Sequence, residues 1–571
     1  MKNCLPLTQS VPTNYRQASL LVSHELKPQQ DVTSPYPWLD SLAKFSPLQL
    51  GSYLIRSADQ TWWSSLLLQL ESSDSVITEG VRSLTSPTDE NLELWLQKQR
   101  LKAFHGILDN VGGAGMSEQK GVSNGAVIAS PSKTAPNYFY QWVRDAAITM
   151  NSLVEHLSDS NFEDSEYGLS TIIESYIANS YKLQRTGNHS GDFDTLSGLG
   201  EPKFMADSKP FTGSWGRPQR DGPGLRVITI ANYMRTLDQY GRNFTNSETP
   251  SSEYVYENIL KPDLSYIVKY WSSTGFDLWE EVDSLHLFTS LTQLKALKMG
   301  LEMAKKFGDN EFYKTLVVSF NSLRFFISVD SGFKPSSAPY LLETPSLVLE
   351  GRRCGLDIAS ILASLRSHDV DDTYDTVYIP FPVTDTAVMN TLTALINDMK
   401  YRYPINHGNL GLSVGFALGR YPEDVYNGRG LSEGNPWFIS TATASELIYK
   451  LIYNLYNLQK DFIIPAEQAS LFSSITTLKI KHSVTLPYGS NAFNVVTYSL
   501  LNYADTFLSV IKEHVDGDGH MSEQFNRYTG YMEGAEDLTW SYGSFWSSLR
   551  WRDKALQLLE ENTQSTWATH I

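Results

Sequence analysis

Val317-Val-Ser-Phe-Asn-Ser-Leu-Arg-Phe-Phe326 places apolar side chains around most of a helical circumference. A helix of that kind is predicted to pack on two sides, unlike one with a single apolar stripe. Outward from it, the same 3.6-residue test succeeds along most of the chain. Leu92, Trp95, Leu96, Phe104, Ile107, Leu108 and Val111 recur with that period, and the run stops at Gly112-Gly113. Further periodic segments fall at about 142–157, 169–185, 223–240, 252–272, 284–306, 310–328, 356–367, 385–403, 436–460, 492–514 and 538–560, making twelve with the first. Six helix pairs arranged as an inner and an outer ring satisfy that count, with the long Gly/Pro-rich connections at one mouth. An α-solenoid also supplies twelve helices, but no self-similar repeat of about 30–50 residues is visible. The predicted fold is therefore all-α. Its helical domain covers 89–565, preceded by a mixed extension over 1–88 that is rich in Ser, Pro, Gln and Thr. The Trp62-Trp63 pair in that extension reads as packing.

The 571 residues carry 46 Lys and Arg against 63 Asp and Glu, a net charge of −17 spread along the chain. A nucleic-acid partner bound by neutralised phosphates is not expected. Charged residues are 19% and aromatic residues 12%. Rings stack on the C–H faces of sugars while carboxylates and amides bind hydroxyls, so this composition suits a neutral, hydroxyl-rich ligand. The only cysteines are Cys4 and Cys354, too few for a disulfide framework, although one pairing stays open. No apolar run approaches the ~18 residues of a membrane span, and the N-terminus lacks the hydrophobic stretch of a signal peptide. Asn188-His-Ser and Asn243-Phe-Thr are sequons that would suit a secretory route. Phosphate-binding, serine-hydrolase, zinc-protease and Cys-x-x-Cys motifs are absent, so neither metal nor cofactor is expected. His286 reads as packing and His407 as a loop residue.

Two clusters could carry acid–base chemistry. In Phe276-Asp-Leu-Trp-Glu-Glu-Val282, Glu280 and Glu281 are adjacent and follow Trp279. Neighbouring carboxylates repel, and one held neutral beside an indole is suited to protonating a leaving group. The alternative is a capping turn for a helix starting near Ser284. In Ser522-Glu-Gln-Phe-Asn-Arg-Tyr-Thr-Gly530, Glu523 stands without a basic neighbour, either orienting a water or solvated in a loop. Other loops combine aromatic, Arg and acidic residues. Tyr138-Phe-Tyr-Gln-Trp-Val-Arg-Asp145 supplies Tyr138, Trp142, Arg144 and Asp145. Gly213-Ser-Trp-Gly-Arg-Pro-Gln-Arg-Asp-Gly-Pro223 supplies Trp215 and Arg217, Glu350-Gly-Arg-Arg-Cys-Gly-Leu-Asp357 supplies Arg353, and Gly434-Asn-Pro-Trp437 supplies Trp437. Each Arg–Asp pair also has a purely structural reading as an ion pair holding a loop. Together the loops read as a glycan pocket with two separated glutamates.

At these loops, and at Val127-Ile-Ala-Ser-Pro-Ser132, Gly198-Leu-Gly-Glu-Pro-Lys-Phe204 and Gly419-Arg-Tyr-Pro-Glu-Asp-Val-Tyr426, the chain resembles the fungal glucoamylases of glycoside hydrolase family 15, the yeast members above all. The resemblance runs from about 90 to 560. It implies an (α/α)6 barrel and exo-acting, inverting hydrolysis of terminal α-1,4-linked glucose, and more slowly α-1,6-linked glucose, from starch, glycogen or maltodextrins. It implies Glu280 as general acid, Glu523 as general base and Glu281 in the substrate-binding set. Tyr138, Arg144 and Asp145 would hold the terminal glucose, and Trp215 would position the next sugar. Arg353 matches the arginine of an Arg-x-Gly-x-Asp stretch. A separation of ~6.5–9.5 Å between the two carboxyls is expected for inversion. The resemblance further implies a monomer acting on α-glucan in a secreted or vacuolar setting. Two alternatives stay open, a non-catalytic glycan-binding or regulatory protein on the same barrel and a trehalase-like (α/α)6 glycosidase.

Overall fold

The structure is a computed structural model that describes residues 90–113, 120–164, 167–369 and 378–568. Twelve principal helices follow in order: α1 (Glu90–Asp109), α2 (Val143–Asp159), α3 (Leu169–Arg185), α4 (Gly222–Gln239), α5 (252–270, with a π turn at Tyr256–Leu260), α6 (Leu287–Lys306), α7 (Asn310–Phe325), α8 (Ile358–Ser367), α9 (Thr386–Arg402), α10 (Phe438–Asn457), α11 (Asn491–His514) and α12 (Thr539–Ala568). The even-numbered helices pack in succession, and α12 returns to α2 to close a ring. The odd-numbered helices lie outside: α1 on α12, α3 on α2, α5 against α4 and α6, α7 on α6, α9 on α8 and α11 on α10. This is an (α/α)6 barrel.

Burial separates the rings. In α10 every residue except Tyr453 and Asn457 is buried, and the small run Ser440-Thr-Ala-Thr-Ala-Ser445 lets the flanking helices approach closely. The 317–326 stretch behaves differently from the expectation of two-sided packing. It lies on the outer helix α7, which buries Leu316, Ser319, Phe320 and Leu323 while Val318 and Phe325 are 66% and 57% exposed. Its apolar residues surround the helix, but only one side meets α6. Buried ion pairs tie the rings together, with Arg226 of α4 on Asp263 of α5 (2.6 and 2.7 Å) and Arg552 of α12 on Asp505 of α11 (2.8 and 3.0 Å).

Among the described residues, four two-stranded antiparallel sheets decorate the barrel: β1 (Tyr140–Trp142) with β2 (Lys203–Met205), the hairpin of β3 (Gly275–Phe276) with β4 (Asp283–Ser284), β5 (Phe462–Ile464) with β6 (Val484–Leu486), and the hairpin of β7 (Gln524–Phe525) with β8 (Met532–Glu533). Because β4 pairs Ser284 with Gly275, α6 starts at Leu287 and not near Ser284. β1 runs directly into α2, Asp221 caps α4, Asp357 caps α8 and Trp437 occupies the cap position of α10. The connections at this mouth therefore hold their side chains over the N-terminal ends of the inner helices. Residues 1–88, with Cys4 and Trp62-Trp63, lie outside the described residues; Cys354 is buried. Among the described residues no helix is long and apolar enough to cross a membrane.

Candidate active site

The turn of the β3–β4 hairpin presents Trp279, Glu280 and Glu281. The Asp277 carboxylate accepts the backbone N–H groups of Glu281 and Val282 at 2.7 and 2.9 Å. Buried His286 spans the hairpin, its Nε2 donating to the carbonyls of Gly275 and Val282 at 3.0 Å each. Glu280 is held at a φ of 68°, a region that costs a non-glycine residue about 1–3 kcal/mol and persists only where its surroundings impose it. Its Oε1 accepts from Trp142 Nε1 (2.7 Å), Gln219 Nε2 (3.0 Å) and Arg144 Nη2 (3.3 Å). Trp279 Nε1 donates to Asp357 at 3.0 Å, tying the turn to the start of α8. The reading of this cluster as a helix cap fails, because His286 occupies the cap position of α6. The charge of Glu281 is absorbed elsewhere, by Arg420 Nη2 and Arg353 Nη2 at 2.8 Å each and by the Tyr421 hydroxyl. Burial works against ionisation there, but Arg420, Tyr421 and Arg353 hold Glu281 below the usual range.

Across the mouth, Glu523 precedes β7 and is 2% exposed, not solvated in a loop. Its N–H donates to the Ala535 carbonyl at 2.9 Å. Gly534 has a φ of 78°, and a Cβ there would lie 2.4 Å from Glu523 Oε2, so only glycine lets this backbone pass behind the carboxylate. The hydroxyls of Tyr138 and Tyr426, 3.0 Å apart, face Glu523.

Both glutamates line one cavity of about 590 Å³, together with Tyr138, Trp142, Arg144, Asp145, Trp215, Glu281 and Trp437. Arg217 and Arg353, expected at the sugar, are not on its wall. Arg217 grips Glu201 at 2.9 Å and the carbonyls of Gly213 and Phe211, pinning the Trp215 loop. Arg353 stacks 3.8 Å from the Tyr421 ring and reaches the site only through Glu281.

Sequence reasoning passed over Lys203, Gln219, Arg420, Tyr426 and Trp540. Lys203 Nζ sits 3.4 Å from the Trp215 ring centre, with Tyr140, Trp142 and Phe211 at 4.2–4.4 Å. Burial lowers this lysine to about 8 against the pull of Glu280. Its signal was one lysine among Pro202, Phe204, Met205 and Ala206, between Glu201 and Asp207. The indole nitrogens of Trp215, Trp437 and Trp540, with Arg144 Nε and Asp145 Oδ1, are buried without a hydrogen-bond partner, although the last two approach as an ion pair at 3.2 Å. Buried polar groups normally find partners. All five belong to residues on the cavity wall.

Glycosyl hydrolases family 15 matches residues 102–549. The chain belongs to that family. Relatives of this family 15 hydrolase include a glucoamylase of Saccharomycopsis fibuligera, 41% identical over 82% of this chain and 92% of its own. An intracellular, sporulation-specific glucoamylase of Saccharomyces cerevisiae is 38% identical over 86% and 90%. A glucoamylase structure from Saccharomycopsis fibuligera superposes with a TM-score of 0.77, at 40% identity, over 82% of this chain and 97% of that one.

Carboxyl burial at the mouth of the family 15 barrel has a thermodynamic consequence. Burial pushes Glu523 up to about 8, against the hydrogen bonds and charge of Tyr138, Arg420 and Tyr426. It pushes Asp357 to about 7 and Asp145 to about 6, the latter against the pull of Arg144. Carboxyls raised in the folded state favour folding most below their unfolded values near 4, and that contribution is lost as pH rises through 6 to 8. Tm should therefore be higher near pH 5 than near pH 8.5 in a thermal-unfolding series at constant ionic strength. A Tm that rises over that interval would contradict the burial assigned to these groups.

Proposed function

We propose that Glu280 and Glu523 are the acid and base of a single-displacement hydrolysis of α-glucans from their non-reducing ends. Glu280 gives its proton to the glycosidic oxygen as the C1–O bond breaks. Glu523 takes a proton from a water that attacks C1 from the opposite face, so the glucose leaves as the β-anomer. Positive charge developing on the ring is met by the carboxylates of the pocket and by the faces of its indoles. The Arg144–Asp145 pair binds hydroxyls of the terminal sugar, and Tyr138, standing near both glutamates, packs beside it. A pocket closed in this way releases one glucose per event. The chain is thus an exo-acting glucan 1,4-α-glucosidase, inverting like its family, with starch, glycogen or maltodextrins as substrate.

The observation that carries this reading is that Glu280 and Glu523 line one cavity together with the Arg144–Asp145 pair and the indoles of Trp142, Trp215 and Trp437. Glu280 is hydrogen-bonded by cation, amide and indole, whereas Glu523 is almost fully buried and faces two tyrosines. Maltoheptaose digested briefly and separated by size should yield glucose and maltohexaose before any shorter chain. Early maltotriose and maltotetraose would indicate internal cleavage and refute the exo reading, absence of turnover would favour the non-catalytic barrel, and turnover of trehalose alone would favour the trehalase-like one.

A further inference from the structure

Gln219 lies in an extended segment between Arg217 and the start of α4, 2% exposed, with its backbone bridged to Phe276 of the acid hairpin. Its side chain makes three contacts: Oε1 accepts from Arg144 Nη1 at 2.7 Å, and Nε2 donates to the Gly216 carbonyl at 3.1 Å and to Glu280 Oε1 at 3.0 Å. A guanidinium can only donate and a carbonyl can only accept, so the amide has one permitted orientation. Its N–H₂ must point at Glu280. Two further donors, Trp142 Nε1 and Arg144 Nη2, converge on that same Oε1. Among the described residues, Glu280 Oε2 receives no hydrogen bond from the protein.

We propose that Gln219 is a positioning residue that keeps the transferable proton of Glu280 on Oε2. A proton on Oε1 would confront three N–H groups and no acceptor, setting a donor against donors. With Oε1 occupied as the acceptor, the carboxyl O–H is Oε2–H, the oxygen free to meet the glycosidic oxygen. On transfer, the Oε2–H bond breaks, the aglycone keeps the proton and the C–O electron pair, and the new carboxylate charge is met at once by the three donors on Oε1. Trp142 and Arg144 also serve the cavity, as its wall residues. Gln219 is off that wall and acts on the reaction only through Glu280 and Arg144.

The proposal rests on Glu280 being the acid, and its test separates the two claims. Maltose requires protonation of its leaving group, whereas α-glucosyl fluoride releases fluoride with little assistance. Gln219→Met keeps the shape and removes the amide. Gln219→Glu keeps an acceptor for Arg144 but sets a second carboxylate against Oε1, where it competes for the proton. Each variant should lose about 10²-fold in kcat on maltose, with KM within about threefold and with α-glucosyl fluoride hydrolysis within about fivefold of the native enzyme. An equal loss on both substrates in either folded variant, or an unchanged kcat on maltose in both, would overturn the proposal. Glu280→Gln measured alongside is the reference. If it shows the selective loss and the Gln219 variants do not, only the positioning role falls. If Glu280→Gln lacks it too, the acid assignment itself is wrong.

Discussion

Glu280→Gln is expected to lower kcat on maltoheptaose by about 10²–10⁴-fold, the usual worth of a positioned acid or base. Hydrolysis of α-glucosyl fluoride should stay within about tenfold of the native rate. The amide keeps the size of the side chain and its carbonyl oxygen can still accept from Trp142 and Gln219, so the turn held by Asp277 and His286 is preserved. What disappears is the proton that a sugar leaving group needs and fluoride does not. KM should move little, because Arg144, Asp145 and the indoles of the wall are untouched. A proportional loss on both substrates would mean that Glu280 shapes the pocket and does not donate a proton.

Glu523→Gln should behave in the opposite sense, losing about 10²–10⁴-fold on maltoheptaose and on α-glucosyl fluoride alike. Both substrates need an activated water whatever their leaving group, and an amide cannot take its proton. The same substitution carries a second, independent expectation. Burial raises the Glu523 carboxyl to about 8, so up to that pH the folded protein keeps a proton that the unfolded chain has already released, at a stability cost that grows with pH. The non-titrating amide should remove part of the fall in Tm between pH 5 and 8.5. Near-native fluoride turnover by this variant would refute the base assignment.

The helices of this barrel were legible because leucine, isoleucine and aromatic residues repeat at 3.6 residues along nearly every one, and all twelve expected segments are helical. Which helices are inner was not legible from hydrophobicity. The 317–326 stretch is apolar all round yet lies outside, whereas the inner helix α10 contains Ser440, Thr441, Thr443, Ser445 and Lys450, all buried. Inner helices need small residues for close packing, and their hydroxyls return hydrogen bonds to their own backbone, as Thr441 does to Trp437 and Thr443 to Ile439. At the site, glutamates flanked by aromatic residues stood out in sequence. The left-handed backbone of Glu280 did not, since nothing local demands it; contacts from Asp277, His286 and Asp357 impose it. Lys203 and Gln219 escaped notice for the same physical reason. An isolated lysine or glutamine says nothing about its partners until the fold brings four rings around one and a guanidinium, a carbonyl and a carboxylate around the other.

Glu280 and Glu523 are assigned to opposite faces of the same glycosidic bond. Proton NMR of the first minutes of maltoheptaose hydrolysis, faster than mutarotation, tests it most directly. The β-anomeric proton of free glucose should grow first, with the α-signal following only by mutarotation. Initial release of α-glucose would refute the opposite-face arrangement of the two glutamates.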